Sequence, residues 1–189
     1  MSINKLKDFI VVVKKAVSAA LCDGILNEYK DCDDWADALA GRSGGNVDKK
    51  SRNCQVIYTS QPENLAVSTK RTQLDDELFK AVSECLKKYV GKFNTCTVSQ
   101  DTGYDLLKYS TGGFYVQHTD AFFEHPRETS CSLVLNDDFE GGEFAFFDRE
   151  LKYKLGKGDV LMFPSNFMFP HEVMEVTKGT RYAVITWFR

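Results

Sequence analysis

The chain has 189 residues, 43% hydrophobic and 27% charged, enough apolar material to bury a core within a single domain over residues 1–189. Its 24 Lys and Arg against 27 Asp and Glu give a formal net charge of −3, which argues against a nucleic-acid partner held by charge alone. No apolar run reaches the length of a membrane span, and Lys14 and Lys15 cut Phe9-Ile-Val-Val-Val13 too short for a secretion-signal core, so a cytoplasmic protein with no membrane partner is expected.

In chain order, Phe9–Val13 is short and β-branched and reads as a buried strand; a helix from Asn4 to Leu21 is the alternative. Ser18 is placed to cap a helix over Ala19–Lys30, with Leu21, Ile25 and Leu26 as its apolar stripe. Asp31–Lys50, broken by Gly41, Gly44 and Gly45, reads as a loop, and so does polar Ser60–Thr72 with Pro62. Between them Asn53–Thr59 favours strand. Leu74, Leu78, Val82, Cys85, Leu86 and Tyr89 recur at helical spacing, which predicts a helix over Gln73–Val90 that stops at Gly91. The six cysteines, Cys22, Cys32, Cys54, Cys85, Cys96 and Cys131, include no C-x-x-C pair and are expected to be reduced, mostly buried thiols.

From Thr95 the character changes. Short alternating or apolar runs follow one another: Thr95–Ser99, Tyr104–Tyr109, Gly113–His118, Thr129–Leu135, Glu143–Phe147, Leu151–Leu155, Asp159–Phe163, His171–Val176 and Thr180–Phe188. Turn residues separate them, which predicts a β-sandwich or barrel.

Within these runs lies the constellation that carries chemistry. His118 and Asp120 are two residues apart, so one strand end turns both to the same side. His171 follows Asp120 by 51 residues, and Arg181 follows His171 by ten. Two imidazoles and a carboxylate on one face of a metal, with other positions open, make the site of a non-haem iron(II) oxygenase. A dicarboxylic 2-oxo acid would chelate that metal and need a buried cation for its far carboxylate. Arg181 offers a planar fork of that shape, and Tyr109 a hydroxyl. Parity places Trp187, six residues past Arg181, on the same face as Arg181, Ala183 and Ile185, with Tyr182, Val184, Thr186 and Phe188 opposite. If the strands of His171 and Arg181 form a hairpin, Thr177-Lys178-Gly179 supplies its loop; if the chain crosses between sheets there, that parity lapses. His125 reads as solvated and Tyr115 as packed beside the site. Arg127 and Arg149 read as surface charges able to meet a peptide at a cavity mouth, and Lys152 and Lys154 as one solvated face. Glu143 is placed to brace the turn after Gly141-Gly142.

Tyr109 with Gly112, Gly113 and Tyr115 ahead of His118-Thr-Asp120 resembles the iron- and 2-oxoglutarate-dependent dioxygenases, specifically the prolyl 4-hydroxylase branch. Glu140-Gly-Gly-Glu143, Gly158-Asp-Val-Leu-Met-Phe-Pro164, His171-Glu-Val173 and Gly179-Thr-Arg-Tyr-Ala183 with Trp187 extend the likeness over Tyr104–Arg189. The first hundred residues match loosely, through Ser51-Arg52-Asn53, which looks similar to the start of the family's substrate-covering segment. The resemblance implies an α+β chain with a mainly β core, a double-stranded β-helix (jelly roll) over 101–189 supported by helices and lid loops in 1–100. It implies His118, Asp120 and His171 as iron(II) ligands, Arg181 and Tyr109 as the 2-oxoglutarate site, and Trp187 and Tyr115 near the substrate. Dioxygen is the co-substrate and ascorbate the implied reductant. The implied reaction hydroxylates a proline-containing peptide or protein and yields succinate and carbon dioxide. Arginine at position 181, where many prolyl 4-hydroxylases have lysine, leaves another protein residue or a free amino acid as alternative substrates, and a metal-binding jelly-roll module as the non-enzymatic one. Trp187 stands where the nucleic-acid demethylases carry a second arginine, and Asp120 fills the position a halide would need. The loops Asp31–Lys50 and Ser60–Thr72 are expected to close over substrate.

Overall fold

A computed structural model describes residues 3–41, 45–121 and 126–189. After one helical turn, Ile3–Leu6 (α1), a 3-10 turn at Lys7–Phe9 takes the start of the expected strand, and the β-branched remainder becomes β1 (Val11–Val13), half-buried and not buried as expected. Ser18 caps α2 (Ala19–Tyr29): its Oγ accepts from the Leu21 amide at 3.2 Å, and Leu21, Cys22, Ile25 and Tyr29 are buried beneath it.

The next segment departs from the sequence reading in three places. Asp31–Lys50 contains β2 (Ala36–Asp37) and a bridge between Ala40 and Asn46; Gly44 lies outside the described residues. The single strand expected over Asn53–Thr59 is broken at Cys54 into β3 (Arg52–Asn53) and β4 (Gln55–Tyr58), which join different sheets. Ser60–Thr72 holds a short helix, α3 (Pro62–Leu65), with Pro62 at its start, and the beginning of α4 (Thr69–Lys92), whose cap is Ser68. Proline and serine punctuate loops, but both also open helices. At the far end Gly91 does not stop α4. Nothing forces it to positive φ, and the helix ends one residue later, where the Phe93 amide bonds back to Tyr89 and Val90.

The remaining strands are β5 (Asp105–Ser110), β6 (Phe114–His118), β7 (Thr129–Val134), β8 (Glu140–Gly141), β9 (Phe144–Phe146), β10 (Leu151–Tyr153), β11 (Val160–Pro164), β12 (His171–Val173), β13 (Val176–Lys178) and β14 (Thr180–Phe188). Thr95–Ser99 is not a strand, because the Ser99 and Gln100 amides bond the Arg189 carbonyl instead of entering a ladder. The run expected as one strand from His171 to Val176 divides at Met174-Glu175, and β13 pairs with β8 at the left-handed Gly141.

Every strand pair is antiparallel. A seven-stranded sheet has the order β1-β11-β7-β14-β5-β4-β2, and a five-stranded sheet the order β10-β9-β12-β6-β3. Alternation along β14 supplies both its faces. Val184 and Phe188 pack with Leu74, Leu78, Val82 and Cys85 of α4, which covers the outside of the larger sheet. Arg181, Ile185 and Trp187 face the space between the sheets, where Phe144, Phe146, Phe163 and Phe169 fill one end. The architecture is a double-stranded β-helix backed by helices. The chain crosses from one sheet to the other between β12 and β14, so these do not form a hairpin. The first hundred residues also contribute β1 to β4. All six cysteines are free, with Cys22, Cys54, Cys85 and Cys131 buried. Among the described residues no helix is long and apolar enough to cross a membrane.

Candidate metal centre

β6 and β12 run antiparallel with His118 directly opposite His171, which brings the two ring centroids to 4.3 Å. Each ring is held by its own backbone: His118 Nδ1 lies 2.9 Å from the Val116 carbonyl and His171 Nδ1 lies 3.0 Å from the Phe169 carbonyl. A carbonyl only accepts, so Nδ1 is the donor in both rings and Nε2 of each is the atom turned to Asp120. His118 Nε2 is 3.5 Å from one carboxylate oxygen and His171 Nε2 is 3.5 Å from the other.

Asp120 stands just beyond β6, fixed from the turn after β11. Its amide donates to the Ser165 carbonyl at 3.2 Å, and Ser130 Oγ donates to Oδ2 at 2.7 Å while also bonding Ser165 Oγ. Burial opposes ionisation of Asp120, but the two histidines and Ser130 outweigh it and hold the acid below the usual carboxylate range. Burial pushes His171 down to about 4, against the pull of Asp120. Near neutral pH the cluster is thus one carboxylate beside an uncharged His171 ring, the protonation state metal binding demands.

These donors suit a first-row divalent ion. They are the one His, Cys, Asp or Glu group among the described residues able to share a metal, all within 4.8 Å of one another. Two nitrogens and one oxygen with open space beside them match non-haem iron(II) better than a closed structural zinc site. We expect Ser130→Ala to weaken metal binding about 10- to 100-fold, the usual cost of losing a ligand's outer partner. A chelator-competition titration measures this, and unchanged affinity would show that the backbone bonds to Ser165 alone position Asp120.

The cluster lines a cavity of about 250 Å³ between the sheets. On the larger sheet, Arg181 of β14 lies in register with Tyr109 of β5, its guanidinium 5.4 Å from the phenol ring. Arg181 is 2% exposed and has no carboxylate partner among the described residues. Gly142, at φ +66°, leaves room for it, since a Cβ there would stand 2.9 Å from Arg181 Cδ. Burial, then the neighbouring Cys54, raises the Tyr109 phenol above its ordinary range, so it remains a hydroxyl donor.

The positions expected near the substrate also reach this space. Tyr115 stacks on His118 with centroids 3.6 Å apart, and Trp187 lies under Arg127, whose guanidinium is 3.5 Å from the indole centroid. Arg127 is therefore a cavity residue and not an ordinary surface charge. Arg149 is a surface residue that forks onto Glu172 at 2.6 and 3.0 Å, and Lys152 and Lys154 are exposed as expected. The Glu143 carbonyl accepts from Met174, bracing the turn through backbone. His125 lies outside the described residues. Of the two expected lid loops, Asp31–Lys50 lines the cavity through Leu39, Gly41 and Gly45, whereas none of Ser60–Thr72 does. Sequence reasoning did not single out Tyr58 or Asp105 as cavity residues. Parity along β5 held the signal for Asp105, since Asp105, Leu107 and Tyr109 share a face.

Residues 104–189 match the family model of the 2OG-Fe(II) oxygenase superfamily. A PKHD-type hydroxylase of Idiomarina loihiensis is 40% identical over 88 residues, 43% of this chain and 39% of that protein. Prolyl 3-hydroxylase 2 of Homo sapiens is 45% identical over 67 residues, 33% of this chain and 10% of that protein. The chain thus spans well under half the length of these curated relatives. Among solved structures, a Trichoplax adhaerens prolyl hydroxylase in complex with a hypoxia inducible factor peptide fragment aligns with TM-score 0.73 at 17% identity, covering 98% of this chain and 86% of that one. A Pseudomonas putida prolyl-4-hydroxylase aligns with TM-score 0.70 at 20% identity, covering 100% and 98%. At those identities the two structures establish the shared fold.

Proposed function

We propose that this chain, whose residues 104–189 match the 2OG-Fe(II) oxygenase superfamily model, is an enzyme of that superfamily and hydroxylates proline in a peptide or protein. In this reading His118, Asp120 and His171 hold iron(II). Arg181, with Tyr109, holds the far carboxylate of 2-oxoglutarate. One oxygen atom of O2 enters the substrate C–H bond and the other enters succinate, with loss of carbon dioxide; ascorbate serves as reductant. Bound iron supplies the oxygen chemistry that no side chain here can perform.

The chain's own part is binding and exclusion. Backbone carbonyls hold Nδ1 of both imidazoles, which turns Nε2 of each toward Asp120. Leu107, Ile185 and Phe144 line the space around the donors and keep it apolar. Tyr115, stacked on His118, and Trp187, under Arg127, add aromatic lining to the same space.

The single observation that carries the reading is Arg181. A guanidinium stays charged, and burying it without a counter-ion costs several kcal/mol in general terms. A cavity that keeps such a cation beside a metal-binding triad is built for an anion that arrives with the metal. The alignment with prolyl hydroxylases, one solved with a peptide, supports a peptide or protein as substrate. Incubation with iron(II), 2-oxoglutarate and proline-rich peptides is expected to add one oxygen atom to a peptide, read by mass spectrometry with 3- and 4-hydroxyproline standards. Succinate formed with another substrate while every prolyl peptide stays unmodified would overturn the substrate class.

A further inference from the structure

Two rows of opposite charge cross the cavity floor. Arg181 and Tyr109 form one. Four residues away along β5, about 13 Å at strand rise, Asp105 stands in register with Tyr58 of β4 on one side and Ile185 of β14 on the other. Ile185 is in turn opposite Ser132 of β7. This row crosses the floor of the cavity between Arg181 and the Trp187–Ser130 pair, and all four of its side chains line the cavity.

Asp105 is an unusual group to find there. Among the described residues it has no hydrogen bond and no ion pair. Burial pushes its acid up to about 6, and the charges of Arg52 and Arg127 pull it back without contact. Arg52 is turned away onto the Leu39 carbonyl at 3.0 Å and over the Tyr115 ring. Arg127 lies over Trp187 and reaches the Asp120 carbonyl at 3.5 Å. A carboxylate that lines the cavity with no hydrogen-bond donor of its own is costly to bury, as a lone guanidinium is. Tyr58, 41% exposed, flanks it with an aromatic face.

We propose that Asp105 determines substrate specificity by pairing with a lysine or arginine side chain carried by the peptide next to the residue that is hydroxylated. A long aliphatic stem with a charged head fits the row. The stem lies along Ile185 and the Tyr58 ring, and the head reaches the acid. The inference rests on the peptide-hydroxylase reading of the cavity and names the feature by which that site chooses its peptide.

The test uses prolyl peptides that differ only in carrying Lys, Gln or Glu, scanned through the positions flanking proline. Binding is read by fluorescence anisotropy with iron(II) and 2-oxoglutarate under anaerobic conditions, and turnover is read in air. At the best position Lys is expected to bind at least tenfold tighter than Glu, with Gln between. Asp105→Asn should erase the difference, Asp105→Lys should reverse it, and Asp105→Glu should keep it. Equal binding of the three peptides, a preference that survives in Asp105→Asn, or no binding by any of them overturns the proposal. A lysine preference in binding with no succinate from any peptide would instead overturn the hydroxylase reading while leaving the role of Asp105 standing.

Discussion

The His118→Ala variant is expected to form no succinate above background and to lose iron(II) binding by more than the roughly 10- to 100-fold that follows from disturbing an outer partner. The reason lies in the strand register. His118 is one of only three donors and shares Asp120 with His171 across a single strand pair. Removing it leaves one imidazole and one carboxylate, too few to hold a labile divalent ion in competition with buffer. The fold itself should survive, since the His118 ring hydrogen-bonds its own strand, stacks on Tyr115 and otherwise meets Asp120 and His171 of the same cluster, none of which ties it to the apolar core. An unchanged melting temperature in the metal-free protein, beside lost iron uptake, would show that the defect is local. Retained turnover would remove His118 from the metal site.

Arg181→Ala is expected to raise the apparent constant for 2-oxoglutarate by about 30-fold to several-thousandfold, the range for truncating one side of a buried charge pair. Iron binding should be intact. The stability signature is more telling than the kinetic one. Wild-type protein holds a buried guanidinium with no carboxylate partner among the described residues. Its loss should therefore cost the ligand-free protein little beyond the packing of its stem. What should vanish is the rise in melting temperature on adding 2-oxoglutarate, which mass action ties to affinity for the native state. A variant that still gains the full thermal shift would show that the far carboxylate sits elsewhere.

Both positions were readable in the sequence because their information is local. His118 and Asp120 lie at one strand end, and parity along Thr180–Phe188 assigns Arg181, Ile185 and Trp187 to one face, as observed. The relation of His171 to Arg181 was not readable. It depends on whether the chain turns back or crosses between sheets, and the two-strand ribbon of β8 and β13 that marks the crossing is too short to leave a periodic trace. Arg52 and Asp105 show the same limit from another side. Their facing could be counted along each strand, but β3 and β4 separate into two sheets at Cys54, and only that parting turns Arg52 toward Tyr115 across the cavity from Asp105. The loop reading of Ser60–Thr72 failed for a different reason. Ser68 carries the same polar signal whether it ends a loop or starts a helix, and the buried Arg71, which bonds Glu28 and Asn64 and pairs with Asp34, decides in favour of the helix.

The interior thiols give the fold an internal clock. Cys22 lies on α2, Cys85 on α4 and Cys131 on β7, each beneath the helical layer. Burial raises all three above the usual thiol range, that of Cys22 to about 11, so an alkylating reagent finds almost no thiolate while the layers stay closed. The rate at which each sulfur becomes labelled then counts how often its helix lifts from the larger sheet. The spread of those rates, from α2 to β7, would separate fraying of one helix from opening of the whole barrel.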